Sequence, residues 1–169
     1  RYLARIAYNT DKWECPSGVA GKLEAKDSYS RIFGFGHEEW LFRYEWEIDG
    51  WQYGFIQGVN KSHKGLVENG EPFDLVLFTI DGEKRRRYVA DINSVECLTD
   101  KHAESAIQHF RTKGWYRAME QEILAVDGRP EALGNAEYAR HLLNIRFKRD
   151  AVLMLKDETY AKPGDPILN

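Results

Sequence analysis

Charged and apolar residues alternate along Arg43–Ile48, and Trp51–Gly58 alternates again with Trp51, Tyr53 and Phe55 on one face, the two-residue period of a half-buried strand. Asp49-Gly50 separates the runs and is a two-residue signal for a type I′ turn. The pattern predicts a hairpin of Phe42–Ile48 and Trp51–Val59. A second hairpin follows from Leu75–Ile80 and Glu83–Ile92 around Asp81-Gly82. Tyr2–Tyr8 is nearly continuous in apolar content, which predicts a strand in a central position. Ile145–Leu155 alternates and then turns apolar, as a last strand would. Helical spacing appears after Thr99 or Asp100, either of which would serve as N-cap: Ala103, Ile107 and Phe110 fall in register. Gly114 interrupts, and Trp115–Val126 carries Met119, Ile123 and Leu124 in a second helix ended by Asp127-Gly128-Arg129-Pro130. A short third helix fits Ala136–Leu143. Lys22–Ser30 and the basic run Asn60–Gly65 read as surface loops. The expected class is α+β, with the strands closed into a small curved sheet or barrel and helices packed outside.

Aromatic density changes this picture. Nine aromatic residues lie between Phe33 and Phe55, from Phe33 and Phe35 through Trp40, Phe42, Tyr44, Trp46, Trp51 and Tyr53. Gly34 and Gly36 flank Phe35 and favour a tight loop. His37-Glu38-Glu39 follows, with the two acids suited to the first turn of a short helix. For any single aromatic, burial in the core is the commoner fate. Nine of them in one loop and one predicted hairpin point instead to a pocket for a flat ligand. Asn9 and Trp13, just beyond the first strand, are expected beside that loop.

A length of 169 residues fits one domain with a proper core. The formal net charge of -3 predicts no polyanion partner from the total, so nucleic-acid binding would rest on local patches. Lys84-Arg85-Arg86-Arg87 is such a patch, read either as edge protection or as a phosphate-contacting stripe. Cys15 and Cys97 form neither a metal pattern nor a disulfide framework, and a reducing cytoplasm is the expected setting. No apolar run approaches the roughly 20 residues that span a bilayer, and no membrane partner is expected. His37, His63, His102, His109 and His141 are scattered, so no catalytic residue, metal site or cofactor is expected. Stacking aromatics, polar groups for a base edge and cations for a backbone are the parts that hold a flipped base.

Ala4-Arg5-Ile6-Ala7-Tyr8-Asn9, Gly34-Phe35-Gly36-His37-Glu38-Glu39-Trp40-Leu41-Phe42, Trp51, Gly58-Val59-Asn60-Lys61 and Arg85-Arg86-Arg87-Tyr88-Val89 together resemble the N-terminal part of modification-dependent (type IV) restriction endonucleases. Those proteins join an EVE-like domain, of the PUA superfamily, to an HNH nuclease. The resemblance implies a PUA-like (EVE/YTH-like) β-barrel over residues 1–160, with 161–169 as a linker toward a nuclease. It also implies a reader that flips 5-hydroxymethylcytosine or 5-methylcytosine out of double-stranded DNA, and dimerisation through the nuclease. The chain carries no HNH motif, so it is expected to bind DNA and not to cut it.

The candidate base-pocket residues are Asn9, Trp13, Phe35, His37, Glu39 and Trp40, with Trp13, Phe35 and Trp40 stacking and Asn9, His37 and Glu39 at the base edge. The candidate phosphate contacts are Lys61, Lys64, Arg85, Arg86 and Arg87. Three rivals stand beside this reading: an RNA or N6-methyladenine reader, a small-molecule enzyme using His37 and Glu39 as acid and base, and a protein-interaction domain.

Overall fold

The structure is a computed structural model that describes residues 1–22, 28–134 and 137–168. Among the described residues six strands form one sheet: β1 (Tyr2–Arg5), β2 (Gln52–Gly54), β3 (Phe73–Ile80), β4 (Arg86–Cys97), β5 (Ile145–Phe147) and β6 (Val152–Met154). Their order is β1-β3-β4-β5-β2, with β6 paired to β4 beside this path, so the described sheet does not close into a barrel. Among the same residues five α-helices accompany it: α1 (Tyr29–Phe33), α2 (Gln57–Asn69), α3 (Asp100–Thr112), α4 (Trp115–Ala125) and α5 (Glu131–Gly134). The fold is mixed α+β.

The long β4 organises the sheet. It pairs with β3 from Arg86 to Val95 and with β6 at Ala90–Ile92, and Glu96 and Cys97 at its end pair with Arg146 and Ile145 of β5. β3 alternates strictly between buried and half-buried residues, the mark of a strand covered on one face. β1 runs parallel to β3 at the sheet edge, not in the centre. Tyr2 and Leu3 are exposed, and only Ala4 and Ile6 of that apolar run enter the core. Ile145–Leu155 is two strands, because a 3-10 turn at Arg149–Ala151 redirects the chain.

Asp49 and Gly50 do take left-handed backbone angles, at φ 51° and 75°, and Ile48 and Trp51 exchange two 2.9 Å backbone hydrogen bonds across them. The hairpin stops at that bridge. Tyr44–Trp46 winds into a 3-10 turn that puts Trp46 among the helices, stacked on Trp115, and β2 pairs with β5 instead. The second predicted turn is longer than two residues. Asp81 Oδ1 accepts from the backbone N–H of Glu83 and Arg85, and Lys84 takes φ 64°.

The basic run Asn60–Gly65 lies inside α2, not in a loop. Val59 is buried, and His63 and Leu66 follow at helical spacing on the half-buried side. Gly70 ends the helix in the left-handed conformation that suits glycine. Thr99 caps α3 by accepting from His102 N at 3.1 Å. Where a third helix was expected over Ala136–Leu143, α5 precedes it and a 3-10 turn at Ala139–His141 follows; 135–136 lie outside the described residues. Of the run expected as a loop over Lys22–Ser30, Lys22 and Ser30 are buried and 23–27 lie outside the described residues. The 161–168 segment, expected as a linker, lies along β4: Ala161 N donates to Arg86 O, and Ile167 is buried.

Two apolar clusters result. One lies on the sheet around Ile6, Leu77, Ile92 and Phe147, and the other binds α3 and α4 around Phe35, Trp46, Phe110 and Ile123.

Candidate functional site

The Gly34-Phe35-Gly36 loop joins these clusters. Gly34 holds φ 84°, and a Cβ there would lie 2.7 Å from Gly128 Cα, so the loop closes tightly on the end of α4. Phe35 is thereby buried completely. The chain then turns outward through a 3-10 turn at His37–Trp40.

Glu39 holds this turn in place. Its carboxylate is fully buried and accepts from Lys22 Nζ at 2.8 Å on both oxygens, Asn9 Nδ2 at 2.9 Å, Gly36 N at 2.7 Å and Ser17 N at 3.2 Å. Asn9 is equally committed. Its Nδ2 also donates to Cys15 O, and its Oδ1 accepts from the N–H of Asp11 and Trp13. Neither residue reads a base edge, because every lone pair and proton they offer is spent on the fold.

Beside this turn opens a cavity of about 590 Å³, within the size range of ligand pockets. His37, Tyr29 and Phe55 give it aromatic walls, and Arg5, Glu38, Gln57 and Asn60 give it polar ones. His37 is fixed on both nitrogens. Nδ1 donates to His141 O at 2.7 Å, which leaves Nε2 to accept from the Tyr29 hydroxyl at 2.8 Å. Burial pushes the imidazole pKa down to about 4, so the ring is neutral near pH 7. Burial, and then the charge of Glu38, pushes the Tyr29 phenol up to about 12. Phe35 lies parallel to His37, with ring centres 5.5 Å apart. It backs the imidazole and does not itself line the cavity.

Three predicted stacking residues are therefore corrected. Phe35 is core. Trp40 is 5% exposed among the helices, with Nε1 donating to Glu122 Oε2 at 2.6 Å. Trp13 is 3% exposed in the sheet core, with Nε1 donating to Ala7 O at 2.8 Å. Large aromatics bury the most area per residue, and these three spend that area on stability. Of the six predicted pocket residues only His37 lines the cavity.

The arginine stripe is also engaged with the protein itself. Arg85 pairs with Asp81 and Glu83 and covers the Tyr160 ring. Arg86 donates to Leu168 O, and Arg87 pairs with Asp157. Lys61 and Lys64 are exposed on α2, beside Asn60 at the cavity. Lys64 makes a long 3.9 Å contact with Glu68. Arg5 is exposed at the cavity wall.

The residues that sequence reasoning missed are Arg5, Tyr29, Phe55, Gln57 and Asn60. Phe55 belongs to the aromatic run, but nothing in the sequence tells it from a core residue. Asn60 stood in the supposed loop, where its helical period with Val59 and His63 was the available signal. Lys22, the buried partner of Glu39, had no local signal at all. Among the described residues no group of histidines, cysteines and acids is arranged to hold a metal, and no helix is long and apolar enough to cross a membrane. Comparison with models of known protein families, with curated proteins and with solved structures gives no match.

Proposed function

We propose that this domain reads a modified cytosine in double-stranded DNA, taking the flipped base into the cavity beside His37. The observation that carries this reading is the cavity itself. It combines aromatic walls with polar ones, Arg5 among them, and the exposed Lys61 and Lys64 follow Asn60 along α2. Extruding a base costs a few kcal/mol. Each aromatic contact returns roughly 1–3 kcal/mol, and Tyr29, His37 and Phe55 are the rings at hand. The Glu38 carboxylate on the wall opposes entry of a phosphate and favours a neutral ring that presents N–H donors. The cations supply the sequence-independent part of binding. In this reading the 1–160 unit is a PUA-like module and 5-hydroxymethylcytosine its first-choice ligand.

The enzyme reading fares less well. His37 has both nitrogens engaged and is neutral, and Glu39 is saturated with donors, so neither has a free proton site to exchange with a substrate. The test of the reader is Tyr29→Ala. Tyr29 is 42% exposed, so its loss need not unfold the protein. Affinity for a duplex carrying the modified base should fall about tenfold, while affinity for the unmodified duplex should hold. Equal loss on both duplexes would remove the cavity from the recognition of the base.

A further inference from the structure

Asn60 lines the cavity from α2, and a short chain of hydrogen bonds fixes which end of its amide is left for a ligand. The chain begins at Asn144, which is completely buried. Asn144 Oδ1 accepts from Ile56 N at 2.9 Å, so its other terminus is the NH2 group. That group donates to Ile56 O at 2.9 Å and to Asn60 Oδ1 at 3.0 Å. Both of its protons are then spent. A peptide N–H can only donate and a carbonyl can only accept, so turning the Asn144 amide over would mismatch both bonds to Ile56. Asn60 must therefore offer its oxygen to Asn144, and its own NH2 is the end that remains for the cavity.

We propose that Asn60 is a specificity-determining residue of this cavity, donating from its amide to the ring N3 of a flipped cytosine, with Asn144 as its positioning residue. The inference deepens the base-reading proposal and rests on it. N3 is the informative atom, because it accepts a hydrogen bond in cytosine and carries a proton in uracil and thymine. A donor that cannot turn over admits the first ring and rejects the second. Glu38 on the same cavity acts in the same sense, since a carboxylate suits the exocyclic amine of cytosine. Neither group addresses ring position 5. Asn60 thus selects the base, and the modification is read by the remaining walls.

The test is Asn60→Asp. One carboxylate oxygen continues to accept from Asn144, and the other places an acceptor where the NH2 stood. Dissociation constants are measured for matched duplexes carrying one 5-hydroxymethylcytosine, one 5-hydroxymethyluracil or only unmodified cytosine, and the matching free nucleosides are titrated by NMR. The unaltered protein should prefer the cytosine form. Asn60→Asp should lose at least tenfold of that preference and turn toward the uracil form, with the melting temperature unchanged. A folded variant that keeps the original cytosine-to-uracil ratio overturns the inference, and so does equal weakening on both. Should the variant melt early, Asn60→Ala removes the donor without adding charge and must also lose the ratio. If the unaltered protein fails to distinguish modified from unmodified duplex, the DNA-reading proposal falls by itself. The nucleosides then still decide: a cytosine preference reversed by Asn60→Asp sustains the role of Asn60, and its absence ends it.

Discussion

Replacing Glu39 by Gln separates a structural carboxylate from a catalytic one. The side chain is fully buried, and its hydrogen-bonding neighbours among the described residues are all donors: Lys22 Nζ, Asn9 Nδ2, Gly36 N and Ser17 N. Whichever way the new amide turns, its NH2 group meets an N–H donor. Oε1 faces Asn9, Ser17 and Lys22, whereas Oε2 faces Gly36 and Lys22. Lys22 is only 4% exposed and would lose the buried counter-charge of Glu39. Breaking a buried pair on one side costs about 3–5 kcal/mol, a large share of the 5–15 kcal/mol typical of a whole domain. At this chain length the melting temperature should fall by roughly 6–20 °C. Thermal unfolding followed by circular dichroism reads the change directly. Lys22→Met should fall by a comparable amount, since it strands the carboxylate, and the double change Lys22→Met/Glu39→Leu should recover part of the loss. A Glu39→Gln protein that melts within about 2 °C of the unaltered one would refute the reasoning and make Glu39 a group free to act on a ligand.

Three further outcomes are expected. Trp40→Ala should cost about 3–5 kcal/mol of stability and weaken binding to modified and unmodified duplex together; a normal melt with selective loss on modified DNA would restore Trp40 to the pocket. Stability should depend on pH through His37. The folded ring titrates at about 4 and the unfolded one at 6.5, so the unfolded chain binds the extra proton between those values. The stabilisation is whole above about pH 6.5 and declines toward pH 4 by up to about 3 kcal/mol. Denaturant midpoints for His37→Gln should show a flatter decline across that window, and an unaltered slope would contradict the assignment. Changing Arg5, Lys61 and Lys64 to Ala should reduce the slope of log K against log salt by about 0.9 for each phosphate no longer neutralised, whereas the Arg85/Arg86/Arg87 triple change should leave that slope nearly intact. The reverse result would place DNA on the β3–β4 turn.

The helices were legible where local chemistry decides them. The Thr99 cap, the Gly114 break and the spacing of Ala103, Ile107 and Phe110 all act within a few residues. Asp49-Gly50 likewise makes the turn its sequence asks for. What the turn joins was not legible, because β2 finds its partner in β5, far along the chain, and Trp46 stacks on Trp115 in place of extending a strand. Gly58 and Gly65 disguised α2, which is anchored by Val59 in the core and by His63 Nε2 donating to Leu98 O. The site shows the same division. The Gly34–Trp40 loop stood out by its composition, yet composition cannot tell the inward side of a loop from its outward side. Phe35 and His37 are two residues apart, and one is sealed while the other lines the cavity. The bonds that fix the cavity join residues 17 apart in Lys22–Glu39 and 84 apart in Asn60–Asn144, and no periodicity reports pairings of that kind.

Base reading is tested most directly by equilibrium binding at one fixed salt concentration. Four matched duplexes differ only in carrying cytosine, 5-methylcytosine, 5-hydroxymethylcytosine or N6-methyladenine. A reader of modified cytosine should bind one of the two modified-cytosine duplexes at least tenfold more tightly than the unmodified one, a difference of about 1.4 kcal/mol. Equal affinity for all four duplexes, or a preference for N6-methyladenine, would contradict it.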